Sequence, residues 1–218
     1  MIKKGEGEMI SKKRVRIIKD PKERRQEIVE AALVLFSQNG YEHTTIQDIA
    51  KYLDISQGLC YRYFKSKSEL FMVTAEFYAQ QVMEQIKKPF PENMKAIDKF
   101  NITIKRLFEY IIKHEEFEAN SEVSALRSDR LDNIAKQIIQ VIIPIIEQGN
   151  NEGVFLCKDV ERTTKIFIFG LVHTFHEDMP KKNLHKYIKS FLDYLKDSLV
   201  TVLNMKQPEL LGKDWDKI

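Results

Sequence analysis

Apolar residues recur at spacings of three and four along nearly the whole chain, and the capping and breaking residues between the runs divide it into helices. Asp20-Pro21-Lys22-Glu23 puts a capping residue before a proline at the first helical position, with glutamate at the third, a start that resembles a capping box. Ile28, Ala31, Ala32, Leu35 and Phe36 then mark one face of a first helix, about 21–39, that stops at Asn39-Gly40. Thr45-Ile46-Gln47-Asp48 repeats the cap logic and opens a short second helix at about 46–53. Asp54 falls in a tight turn that needs a residue tolerant of unusual dihedrals, and Ser56 caps a third helix at about 57–63. Ser66-Lys67-Ser68-Glu69 reads as a full capping box for a long fourth helix, whose apolar Leu70, Val73, Phe77 and Val82 precede the stop at Pro89 and Pro91.

Beyond Pro91 the same reading predicts helices at about 93–114, 117–127, 129–148, 159–178 and 182–205, and no strand pattern of useful length. Ile138–Ile146 is apolar on nearly every side, which predicts a central helix, kinked at Pro144. The last helix carries Leu184, Tyr187, Ile188, Phe191, Leu192, Leu195, Leu199, Val202 and Leu203 as a single stripe that needs a partner. Residues 206–218 read as a polar, frayed tail despite Trp215. The expected fold is therefore all-α. A basic arm at 1–19 leads into a three-helix head at 20–66; a larger helical body follows at 67–205, joined through the fourth helix, with the tail at 206–218.

Composition excludes several classes. The 43% hydrophobic content with 8 Gly and 6 Pro is that of a globular chain, and no apolar stretch is long enough to cross a membrane. The first twenty residues lack the apolar core of a secretory signal, so a cytoplasmic location without membrane contact is expected. Cys60 and Cys157 form no C-x-x-C pair, and Cys60 reads as a small core side chain. Charge is uneven: residues 1–25 hold 10 Lys or Arg against 4 Asp or Glu, which suits an anionic surface, a phosphate backbone, or simply a solvated arm.

Two short helices about four residues apart, behind a longer one, describe a helix-turn-helix whose last member can enter a major groove. Gly58 in the first turn of that member costs helix propensity, which is understandable if a backbone must approach something closely or if helices pack tightly there. Tyr61, Arg62, Tyr63, Lys65 and Lys67 supply hydroxyl and cationic donors within seven residues, a set suited to phosphate contacts, while Ile46, Ile49, Ile55, Cys60 and Phe64 can hold the unit together.

Gly40-Tyr41, Thr44-Thr45-Ile46-Gln47-Asp48-Ile49-Ala50, Ile55-Ser56-Gln57-Gly58, Tyr61-Arg62-Tyr63-Phe64 and Lys67-Ser68-Glu69-Leu70 together resemble the TetR family of bacterial transcription regulators over about residues 22–70. The resemblance implies a homodimeric, ligand-responsive repressor that binds a palindromic double-stranded operator, with no enzymatic activity and no cofactor. It also implies that Thr45, Tyr61, Tyr63 and Lys67 contact phosphate. Gln57 is the expected base reader, because its amide can pair with adenine in a bidentate way; Ser56 caps, Gly58 allows close approach and Arg62 adds charge. The chain departs from the family pattern at Leu53-Asp54-Ile55 and at Leu59-Cys60, and Leu59 offers a thymine methyl only an apolar contact.

In the body, Phe100, Phe108, Tyr110, Phe117, Phe155, Phe167, Phe169 and Phe175 are candidates for core or for the wall of an effector pocket. Gly170 permits close helix approach, and with the stripe of the last helix it predicts a dimer interface through the eighth and ninth helices, 159–178 and 182–205. Two other classes remain open at this point. His173 and His176 at i and i+3 suggest a metal-dependent enzyme or metal sensor, although H-x-x-H-E matches no zinc-protease pattern, and a helical protein-binding adaptor would share the same architecture.

Overall fold

The computed structural model describes residues 19–114, 117, 127–180 and 183–218. Its helices are α1 (Pro21–Asn39), α2 (Ile46–Tyr52), α3 (Gln57–Tyr63), α4 (Lys67–Ile86), α5 (Ala96–Lys113), α6 (Arg127–Asn151), α7 (Val160–Glu177) and α8 (Leu184–Val202). Short 3-10 turns follow at Pro208–Leu210 and Trp215–Lys217. The expected arm before Lys19 and nearly all of the expected helix at 117–127 lie outside the described residues.

The head is built from local signals. Asp20 accepts from the Lys22 amide at 2.8 Å to start α1, which ends where Gly40 takes φ 78°. At Thr45 the capping box is complete, whereas the one expected at Ser66 is shifted. Ser66 accepts from the Glu69 amide, but the Glu69 carboxylate takes the amide of Lys65 rather than that of Ser66. Ile28, Ala32 and Phe36 of α1 close over Ile49, Cys60, Phe64 and Leu70 to form the head core. Thr44, fully buried, places its hydroxyl 2.9 Å from the Gly40 carbonyl oxygen and 3.2 Å from that of Leu35, so the loop after α1 is tied back to the helix it leaves.

α4 belongs to both cores. Phe71, Ala75, Tyr78 and Val82 pack into the head cluster, and Met83 and Ile86 into the body. The boundary expected after Ser66 therefore divides the chain but not its packing. In the body, α6 runs unbroken through Pro144, whose ring side is exposed, and buries Ile138, Ile139, Ile142, Ile145 and Ile146 at the centre. Gly149 near its end is required by packing, since a Cβ there would lie under 3.0 Å from three carbons of the buried Phe155 ring. α5 has no side-chain cap of its own; the carboxylate of Glu152, just past the end of α6, accepts from the Ala96 amide at 3.0 Å instead.

Two expectations for the C-terminal half are corrected. Residues 206–218 do not fray: Leu211 is fully buried, Trp215 nearly so, and buried Asn101 of α5 clasps the segment. Its amide donates to the Leu210 carbonyl at 2.8 Å, its side-chain oxygen accepts from the Gly212 amide at 2.9 Å, and its carbonyl accepts from the Trp215 indole at 3.2 Å. The apolar stripe of the last helix has its partner within the protomer, because Leu184, Ile188, Phe191, Leu192, Leu195 and Leu199 are all buried in the body core. It is not free for a second chain. The outward faces of the last two helices carry Ile166, 70% exposed, and Tyr194, 65% exposed. Gly170 meets nothing within 4 Å of where its Cβ would stand.

Candidate nucleic-acid interface

The turn between α2 and α3 sets how the latter is presented. Asp54 adopts φ 52°, its amide donates to the Lys51 carbonyl at 3.2 Å and the Ile55 amide to that of Ala50 at 2.9 Å, which together form a Schellman motif. The aspartate thus occupies the left-handed position where glycine is the low-strain choice. Ser56 then caps α3 by accepting from the Leu59 amide at 3.2 Å, a bond that leaves its hydroxyl proton uncommitted.

α3 has an inward and an outward side. Cys60 and Phe64, each 1% exposed, fix it to the head core, with Tyr63 partly buried beside them. Burial pushes the Cys60 thiol up, so it stays protonated, as a core side chain rather than a thiolate would. Gln57, Gly58, Tyr61 and Arg62 face outward and are exposed, whereas Leu59 lies half-buried at the edge. No atom lies within 4 Å of the Cβ position at Gly58, so helix packing does not account for the glycine. The open space is on the solvent side.

Two expected phosphate donors are already engaged. The Thr45 hydroxyl donates to Asp48 Oδ2 at 2.6 Å and accepts from the Asp48 amide, so its proton is spent inside the capping box. The same bonds, from the Thr45 hydroxyl first and its amide second, hold the Asp48 carboxyl below the usual carboxylate range. Lys67 extends its ammonium to the Tyr41 carbonyl at 2.7 Å and stands 4.0 Å from the centre of the Tyr41 ring. Two of its three donors remain for another acceptor. A further cation was missed in the sequence. Arg25 of α1 is exposed and its guanidinium sits 4.9 Å over the buried Phe64 ring, which brings it to the head surface beside α3. Aromatic stacking of this kind leaves no periodic signal.

In the body, Tyr78 and Val82 of α4, Phe108 of α5, Ile138 of α6, Phe175 of α7 and Phe191 of α8 are among the side chains lining an apolar cavity of about 60 Å³. Of the aromatic candidates, Phe108 and Phe175 line it, while Phe100 and Phe155 form a core pair with ring centres 5.9 Å apart. The two histidines have unrelated partners. His173 Nε2 lies 2.9 Å from Asp132 Oδ1, and His176 Nδ1 donates to the Val172 carbonyl at 2.7 Å while its ring lines the cavity. Among the described residues no three metal-ligating side chains cluster, and no helix is long and apolar enough to cross a membrane.

A head of this construction, with a left-handed turn, a capped third helix and a linking fourth helix that enters a helical body, defines a helix-turn-helix protein of the all-α class. Residues 28–72 match the family described as bacterial regulatory proteins, tetR family. The chain is 32% identical over 123 residues, 55% of its length and 42% of the relative's, to the uncharacterized HTH-type transcriptional regulator YuxN of Bacillus subtilis. It is 40% identical over 77 residues, 32% of its length and 34% of the relative's, to the HTH-type transcriptional regulator HbdR of an Aromatoleum strain. The chain thus aligns with less than half of each of these relatives. Its fold is that of a TetR-family transcriptional regulator from Pectobacterium atrosepticum, with a TM-score of 0.64 at 15% identity, covering 84% of this chain and 95% of that one. The family match thus covers the head, and the likeness to the solved regulator covers the fold of most of the chain.

Proposed function

We propose that the protein is a ligand-responsive, sequence-specific DNA-binding regulator, a repressor that acts as a homodimer on a palindromic operator. The observation that carries the reading is the outward face of α3, where Gln57, Gly58, Tyr61 and Arg62 are exposed while Cys60 and Phe64 secure the opposite side. In this reading Gln57 reads a base and Gly58 allows the helix tip to approach; Tyr61, Arg62 and Lys67 grip phosphate, with Tyr63, Ser56 and Leu59 completing the contact surface. Thr45 contributes as a cap, because its hydroxyl proton and its amide are both committed to Asp48. The arm before Asp20 adds nonspecific attraction.

Dimerisation through α7 and α8 uses their outward faces, around Ile166, Gly170 and Tyr194, since the apolar stripe of α8 is already covered. The two α3 helices then have to stand about 34–36 Å apart, or a multiple, to enter successive major grooves. The effector is a small apolar or amphipathic molecule held in the body. At about 60 Å³ the central cavity holds roughly two water molecules, against the roughly 300 Å³ or more of a usual ligand site, so the effector selects a more open arrangement of the helices around it. Tyr78 and Val82 line that cavity from the same helix that packs on the head, which makes α4 the transmitting element.

Selection of bound fragments from genomic DNA with purified protein tests the reading. A recovered palindrome with half-sites about one helical turn apart is expected; recovery of no sequence above background would refute it. On such a fragment Gln57→Ala should relax discrimination by about 1–3 kcal/mol at one position, whereas Lys67→Ala should weaken all sequences alike and flatten the salt dependence.

A further inference from the structure

A second cavity, of about 370 Å³, opens between the C-terminal end of α5, the stretch of α8 from His185 to Lys196 and the clasped C-terminal segment. Its volume falls within the roughly 300–1,000 Å³ of small-molecule sites. Ile112, Ile188, Leu192 and Trp215 provide an apolar floor, of which Ile188, Leu192 and Trp215 are each at most 6% exposed. Lys189, Lys196, Lys217, His185, Asp193 and Asp216 stand on the walls.

The charges on these walls are unevenly matched. Lys217 bonds to Asp214 and lies in the field of Asp216 as well. Among the described residues, Lys189 and Lys196 form no hydrogen bond or ion pair, although Asp193 and Asp216 share the walls with them. A Cβ on Gly212 would lie 3.0 Å from Lys196 Cδ and 3.4 Å from its Nζ, so the lysine stem runs along the bare Gly212 backbone with the ammonium beside the cavity. Lys189, Lys196 and Lys217 are balanced in number by Asp193, Asp214 and Asp216, but the two lysines without an ion-pair partner, above an apolar floor, are complementary to a single anionic group on an apolar body. A polyphosphate would need a much larger excess of positive charge.

We propose that this cavity is a binding site for an organic monocarboxylate with an aromatic or aliphatic body, separate from the central cavity, its carboxylate held by Lys189 and Lys196 and its body lying on Leu192 and Trp215. Trp215 is the only tryptophan of the chain, so its emission reports on the site directly. The test titrates full-length protein with 4-phenylbutyrate, its neutral alcohol analogue 4-phenylbutanol and the cationic 4-phenylbutylamine, reading tryptophan emission. A saturable change with phenylbutyrate is expected, with the alcohol and the amine each at least about tenfold weaker. Lys196→Met and Lys189→Met, which keep the apolar stems, should each weaken phenylbutyrate by about tenfold, the factor one lost charge-assisted hydrogen bond supplies. No saturable change up to about 10 mM, the usual ceiling for weak small-ligand binding, would overturn the site, as would equal binding of the alcohol. Phenylbutyrate binding unchanged in both lysine variants would place the ligand in the central cavity, whose lining has no lysine, and would also overturn it. No DNA enters the measurement, so its failure leaves the operator reading standing.

Discussion

Gly58→Ala separates a defect in a helix from a feature of an interface. In the protein alone the new methyl is sterically free, because nothing lies within 4 Å of the Cβ position and the residue has helical rather than left-handed dihedrals. Removing the excess conformational freedom of glycine should therefore stabilise the fold, by up to about 1 kcal/mol and less at a first-turn position such as this one. For a chain of this size 1 kcal/mol corresponds to roughly 2–4 °C in the melting temperature. On DNA the sign reverses. In the proposed docking the methyl projects into the space through which the tip of α3 approaches the duplex, and a loss of about 1.4 kcal/mol there is a tenfold loss of affinity. The pair of measurements is a thermal melt of the free protein and fluorescence anisotropy on a selected operator fragment at fixed salt. A variant that melts at the same or a higher temperature and binds at least about tenfold more weakly is the expected outcome. If it melts higher and binds within about twofold of the wild type, the glycine is an accident of helix composition and the close approach of α3 to DNA is wrong.

Three other perturbations have defined outcomes. Asp54→Gly relieves a left-handed residue in the Schellman turn and should raise stability by about 1 kcal/mol in a denaturant titration; a loss would mean that the carboxylate makes a contact worth more than the strain. Gly149→Ala drives a methyl into the Phe155 ring and should cost about 1–3 kcal/mol by the same titration, with a neutral result showing that the ring moves aside freely. The Asp48 carboxyl is held below its ordinary range by Thr45, so its contribution is present above that range and is lost as pH falls through the lowered folded value. With the slower intrinsic exchange in acid divided out, the protection factors of α2 amides should fall on acidification below about pH 4, the ordinary range for aspartate, and Asp48→Asn should remove that acid dependence.

Where a structural feature is set by neighbours in sequence, it was legible before any coordinates. α3 begins at Gln57 and ends at Tyr63 as its cap and spacing predict, and Asp54 is left-handed as its place in a four-residue turn requires. The exposed set on α3 follows from the same period, since placing Cys60 and Phe64 inside leaves Gln57, Tyr61 and Arg62 outside. Features that depend on a distant partner were not legible. No pattern around Ala96 announces that Glu152 will cap it, and nothing near Trp215 points to Asn101, more than a hundred residues earlier. The stripe of α8 is clear in the sequence, but periodicity reports only that a face is apolar and not which surface covers it. Lys67 shows the same limit at the interface itself. Its charge is evident from the sequence, and the Tyr41 carbonyl that holds it becomes visible only when the loop after α1 folds back.

The division of α4 between two cores constrains how this head can be transplanted. Tyr41 and Phe71 meet edge to face with ring centres 4.7 Å apart, Phe71 reaches Phe117 at 5.1 Å, and Phe117 reaches Tyr78 at 5.1 Å, so the aromatic row runs past the point where sequence motifs end. A chimera spliced at Ser66 would sever that row and strand Phe36 and Tyr41 at a raw surface. A graft that retains its stability has to carry the donor helix onward to Val82, together with a recipient side chain that fills the berth of Phe117.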